Sequence, residues 1–128
     1  MIISQTLSLI AFAALASVAP AQTMTSTMFK GIEANGGSVS VSMKNGKTML
    51  SVSSDFKVPN SPAPHWQVVD AQGNTFLLNQ FKIAGDKVNR VIVLPKYIRS
   101  IKKVQVWCSF AEVNLGEVTF AQPIKVGM

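Results

Sequence analysis

Ser38-Val39-Ser40-Val41-Ser42-Met43-Lys44-Asn45-Gly46-Lys47-Thr48-Met49-Leu50-Ser51-Val52-Ser53 is the stretch on which the fold is decided. Its first half alternates strictly, with Val39, Val41 and Met43 on one side and serines on the other. That period of two belongs to a half-buried strand. Asn45-Gly46 then falls between two β-like runs. Both central residues of a type I′ turn need positive φ, which Asn and Gly tolerate, so the pair predicts a tight hairpin. The return run Thr48–Ser53 leads into Asp55-Phe56.

The same grammar repeats downstream. Lys57–Pro64 contains three prolines, which remove ladder donors, so it is a loop. His65–Val69 is a strand turned by Asp70–Asn74, and Thr75–Ile83 is another, with Phe76, Leu78 and Gln80 on one face and Leu77, Asn79 and Phe81 on the other. Ala84-Gly85-Asp86 turns the chain into a strand over Val88–Leu94. Pro95–Ile101 reads as a short helical turn. Lys102–Phe110 and Glu112–Phe120 are the last two strands. Short strands at this spacing, with no convincing helix, predict an all-β fold: an antiparallel β-sandwich, jelly-roll-like, of about eight short strands.

The beginning of the chain reads differently. Ile2–Val18 is apolar or small and uncharged, and Ala19-Pro20-Ala21 supplies an A-x-A arrangement, the pattern of a secretory signal peptide cleaved after Ala21. The expected organisation is a signal peptide over 1–21, a flexible segment over 22–28, the sandwich over 29–121 and a tail over 122–128. The expected location is periplasmic or extracellular. No later apolar stretch is long enough to span a bilayer, so the cleaved chain is not expected to be transmembrane.

Formal charge is +6, from twelve basic and six acidic residues. The excess is local: Lys82, Lys87, Arg90, Lys96, Arg99, Lys102 and Lys103 lie in a segment whose one acid is Asp86. Such a segment suits an anionic envelope surface, or simply keeps a face solvated. No nucleic-acid-binding motif is present, and nucleic acid is not an expected partner.

Catalytic sets are nearly absent. His65 is the one histidine, which leaves no metal-ligand cluster and no supported nucleophilic triad, so the chain reads as a non-enzyme with no evident cofactor. The methionines read as core or tail residues. That leaves Cys108, the single cysteine. Val104, Val106, Cys108 and Phe110 alternate onto one face, with Gln105, Trp107 and Ser109 on the other. If the valines face the core, the thiol does too, and an apolar setting would raise its pKa and make it inert. A reactive thiol at the strand end, or an intermolecular disulfide, is the alternative.

The residues from Phe29 to Phe120 resemble the DM13 domain family. Phe29-Lys30-Gly31 is similar to the family's opening, and Gly37-Ser38-Val39-Ser40-Val41 to its first strand. Asp55-Phe56 followed by Pro64–Val69 resembles its central segment, and Val93-Leu94-Pro95 its "y-x-iP". Val104-Gln105-Val106-Trp107-Cys108 resembles "V-x-I-W-C", and Val113–Val118, containing Leu115-Gly116, its closing motif. The resemblance implies an exported β-sandwich accessory domain. It also implies an electron-transfer or redox role for Cys108, flanked by the signature residues Trp107, Leu115 and Gly116, with another exported redox protein as partner. The second functional expectation is a binding or adhesion module that uses the basic 82–103 segment.

Overall fold

The computed structural model describes residues 24–81, 83–84, 87–88 and 90–127; within 82–89 only the backbone of the two strand pairs is described. The signal peptide expected over 1–21 therefore lies outside the described residues. Ten strands follow in order: β1 (Met24–Thr25), β2 (Val39–Lys44), β3 (Lys47–Val52), β4 (Pro64–Val69), β5 (Thr75–Gln80), β6 (Ile83–Ala84), β7 (Lys87–Val88), β8 (Val91–Val93), β9 (Ser100–Cys108) and β10 (Val113–Lys125). Two four-stranded antiparallel sheets, β1-β2-β3-β8 and β10-β9-β4-β5, form a sandwich, and β6 and β7 pair as a small hairpin. There is no helix among the described residues.

The opening hairpin forms as its sequence requires. Lys44 pairs with Lys47, and Asn45 and Gly46 both take positive φ, 53° and 74°. Val39, Val41, Leu50 and Val52 are buried, whereas Met43 is 50% exposed because the hairpin tip runs past the core. Pro95–Ile101 is not helical: a single turn closes with the Ile98 N–H donating to the Pro95 carbonyl at 3.2 Å.

Between the sheets lies an aromatic cluster. Trp66 stacks on Phe81 with centroids 4.2 Å apart, and Phe56 touches Phe29 at 5.0 Å and Trp66 at 5.5 Å. Phe81 reaches this cluster through a register shift between β4 and β5. One extra residue in β5 swaps the faces, so Gln80 is exposed and Phe81 is buried, against strict alternation. A second irregularity lies between β9 and β10, where Thr119 faces Lys103 but Ile124 faces Ile101. It carries β10 through to Lys125, so most of the expected 122–128 tail is strand.

The segment expected to be flexible, 22–28, is hydrogen-bonded from Met24 on. β1 pairs with β2, and the chain then crosses to the other sheet. The Thr27 and Lys30 N–H groups donate to the Thr119 and Glu117 carbonyls at 3.0 and 3.1 Å, and Glu117 N–H donates back to Lys30 at 2.9 Å. One short strap thus borders an edge of each sheet.

Candidate functional site

β9 positions the candidate thiol. Val104, Val106 and Cys108 point inward and are all nearly inaccessible, Cys108 at 2%. Phe110 does not continue the inward row. The strand ends at Cys108, a turn follows, and Phe110 is 81% exposed. Pro64 of β4 and Val113 of β10 flank Cys108 directly.

Burial is as alternation predicts, but its electrostatic consequence is not. Sequence favours an inert thiol with a raised pKa, whereas the structure holds the thiol below its ordinary value of 9.0. The Ser61 hydroxyl is the main cause, the Ala111 N–H the next, and together with lesser backbone donors they outweigh desolvation. Ala111 N–H donates to Cys108 Sγ at 3.4 Å. Ser61 Oγ is dry and makes no regular hydrogen bond to a neighbour, yet it sits close enough to the sulfur to favour the thiolate. These donors come from the proline loop and from the turn after β9, which alternation along β9 alone does not reveal. A recess of about 180 Å³ meets the sulfur here; Ile32, Pro62, Val113 and Leu115 make its apolar wall, and Glu33 stands at it as well.

The neighbouring signature residues have structural tasks. Leu115 is buried, and its carbonyl accepts the N–H groups of Glu33 and Ala34 at 3.0 and 2.8 Å. A methyl group added at Gly116 would lie 2.3 Å from the Ala34 carbonyl oxygen, and one added at Gly31 would lie 2.2 Å from Gly116 Cα. The loop wall of the recess thus rests on bare glycine backbone, which only glycine permits. Trp107 points away from the core and is half-buried, between His65 of β4 and Asn114 of β10.

That outer face carries a polar chain. Gln67 Nε2 donates to Gln105 Oε1 at 2.7 Å, and Gln105 Nε2 donates to Glu117 Oε1 at 3.1 Å. Asn114 Nδ2 donates to Glu117 Oε1 at 2.9 Å, and Lys103 Nζ pairs with Oε2 at 2.9 Å. Burial pushes the Glu117 carboxyl up, but the hydrogen bonds from Lys103, Gln105 and Asn114 and the Lys103 charge outweigh it and leave it below its ordinary value. His65 Nδ1 lies 3.0 Å from the Ala63 carbonyl, consistent with a strand-entry structural role.

The basic residues are not gathered into one patch. Arg90 Nη1 donates to the Ser53 carbonyl at 2.7 Å. Lys102 Nζ donates to the Phe120 and Ala121 carbonyls at 2.7 and 3.2 Å, capping groups left over by the β9–β10 irregularity. Lys103 holds Glu117. Lys96 and Arg99 are exposed on the turn before β9. Lys82 lies outside the described residues, and of Lys87 only the backbone is described. Among the described residues no cluster of three or more metal-ligating side chains occurs, and no helix is long and apolar enough to cross a membrane.

No family model, curated protein or solved structure matches this chain.

Proposed function

We propose that this chain is an exported, non-catalytic accessory domain of the DM13 kind, in which Cys108 is a redox-active thiol that exchanges electrons with another exported protein. The observation that carries the reading is a donor on the sulfur, the Ala111 N–H, with the Ser61 hydroxyl nearby. A thiol that merely fills space needs none. Here the Ala111 N–H and the otherwise unpartnered Ser61 hydroxyl favour the thiolate, and the thiolate is the form that reacts. The adjoining recess gives a small oxidant a route to the sulfur. With a peroxide, the thiolate would attack one oxygen, an S–O bond would form as the O–O bond breaks, and the leaving hydroxide would take a proton. The products are a sulfenic acid and water, a two-electron oxidation of sulfur.

The second reading, adhesion to an anionic envelope surface through the 82–103 segment, has less support. Arg90, Lys102 and Lys103 are spent on partners within the protein.

Thiol titration with and without denaturant tests the proposal. In native buffer Cys108 should react with a small uncharged reagent, and its rate should rise with a midpoint below pH 9.0, the ordinary thiol value. A thiol that reacts only after unfolding would remove the redox role.

A further inference from the structure

At the end of the sandwich opposite Cys108, the β4–β5 turn, the start of β9 and the end of β10 enclose an open cleft of about 520 Å³. That volume lies within the range of small-molecule pockets, roughly 300–1,000 Å³. We propose that this cleft binds a small organic carboxylate, one acid group on a compact apolar body.

The charge of the cleft comes first. Arg99 and Lys125 both line it, and among the described residues no carboxylate does. Neither head group makes a hydrogen bond or ion pair among the described residues; the salt bridge found there is Lys103–Glu117. This sets the two apart from Arg90, Lys102 and Lys103, whose charges are already engaged. The nearest acid in sequence, Asp70, is buried and turned into its own loop. Its Oδ1 accepts the Gln72 and Asn74 N–H groups at 3.0 and 2.8 Å, and Oδ2 accepts Asn74 Nδ2 at 3.0 Å. Asp70 is thus engaged within its own turn, and the two cations of the cleft call for an anionic ligand.

Orientation comes next. Ser100 and Lys125 are direct cross-strand partners, and Val126 N–H donates to the Arg99 carbonyl at 3.0 Å, so two adjacent strands fix both cations. Gly127 supports Arg99: a methyl group there would lie 3.4 Å from Arg99 Cδ and 2.6 Å from the Ile98 carbonyl oxygen. The methyl would also lie 2.8 Å from the Lys96 carbonyl oxygen, so the bare glycine lets the chain pack on the turn that carries Arg99. A guanidinium held this way can present two parallel N–H donors to a carboxylate. Ser100 Oγ accepts the Ala71 N–H at 3.0 Å, which leaves its own proton free to donate. Pro123 and Val126 give the cleft an apolar wall, the reason for an organic acid rather than a bare ion.

The test is an amide chemical-shift titration of the purified protein with hexanoate, acetate, hexylamine and inorganic phosphate. Hexanoate should shift the Gln72, Ser100, Lys125 and Val126 amides saturably, at least tenfold more tightly than acetate, and hexylamine should not. Arg99→Gln and Lys125→Gln should each weaken hexanoate by roughly tenfold, as expected for hydrogen bonds to a charged group. Both side chains are exposed, so the variants should keep the wild-type spectrum elsewhere. Equal binding of acetate or hexylamine, unchanged affinity in both variants, or no saturable shift overturns the proposal. Phosphate saturating the same amides more tightly than hexanoate overturns the carboxylate assignment. Cys108 plays no part in any of these outcomes.

Discussion

The two ends of β9 treat their polar groups in opposite ways. At the Cys108 end a backbone N–H donates to a nearly inaccessible sulfur at the wall of a recess, beside the close backbone approach of Gly31 and Gly116. At the Ser100 end two charged side chains line an open cleft with no partner among the described residues. In the first, protein groups tune one atom by hydrogen bonding. In the second, charge is held in place without being neutralised. Burial and availability separate: the nearly inaccessible thiol is the group with a lowered pKa, and the exposed cations are the ones without a partner among the described residues.

The sharpest way to break this contrast is steric. Gly116→Ala should cost about 3 kcal/mol or more by denaturant unfolding, because the added carbon meets backbone that cannot rotate away. Where enough protein remains folded, Cys108 should alkylate faster, since the loop wall has been lifted. Gly127→Ala, at the other end, forces a residue with φ of 73° and crowds the Ile98 carbonyl. It should cost roughly 1–3 kcal/mol and weaken hexanoate binding while leaving the thiol rate unchanged. Thiol and hexanoate readouts that move together in both variants would show the two ends to be one coupled unit.

Acid should act on carboxylates of the outer polar chain and of two turns rather than on the thiol. Glu117, Asp55 and Asp70 all sit below their ordinary values of 4.5, 3.8 and 3.8. A depressed carboxyl contributes its full stability above the unfolded-state value and loses it as pH falls through the lower folded-state value. Unfolding free energy should therefore be level with respect to these groups above about pH 5 and decline below roughly 4.5, and Glu117→Gln should flatten that decline. A decline that begins near neutrality would count against this assignment. Smaller still, Ser61→Ala should move the midpoint of the Cys108 rate profile up toward pH 9.0 with little change in stability. Lys96→Gln, exposed and without a partner among the described residues, should change stability by less than about 0.5 kcal/mol.

The sandwich was legible because its signals are local. Asn45-Gly46 dictates a turn by φ alone, and the Val-Ser alternation assigns faces without knowledge of the other sheet. Alternation failed where an extra residue entered a ladder: Phe81 and Gln80 exchange faces, and Lys102 acquires an internal task because β10 bulges past it. The site was legible in part. Cys108 was correctly placed facing the core, but the direction of its pKa shift depends on Ser61, forty-seven residues away in sequence and adjacent only after folding. Phe110 was assigned to the core by extending a period of two beyond the last ladder residue. The place of Lys125 beside Ser100 is not legible in the sequence, because that cross-strand relation is a property of the register.

The strap formed by residues 24–30 has a consequence for how copies of this protein meet. It occupies a border of β2 and one of β10, where an unpaired ladder would otherwise recruit a strand from outside; β8 and β5 are the opposite edges of the two sheets. A chain clipped after Lys30 would keep its core aromatics except Phe29 but carry two sticky borders of matching antiparallel geometry. Such molecules should assemble into open-ended chains, visible as light scattering that grows with concentration. The first few residues of the described sandwich thus cover one border of each sheet.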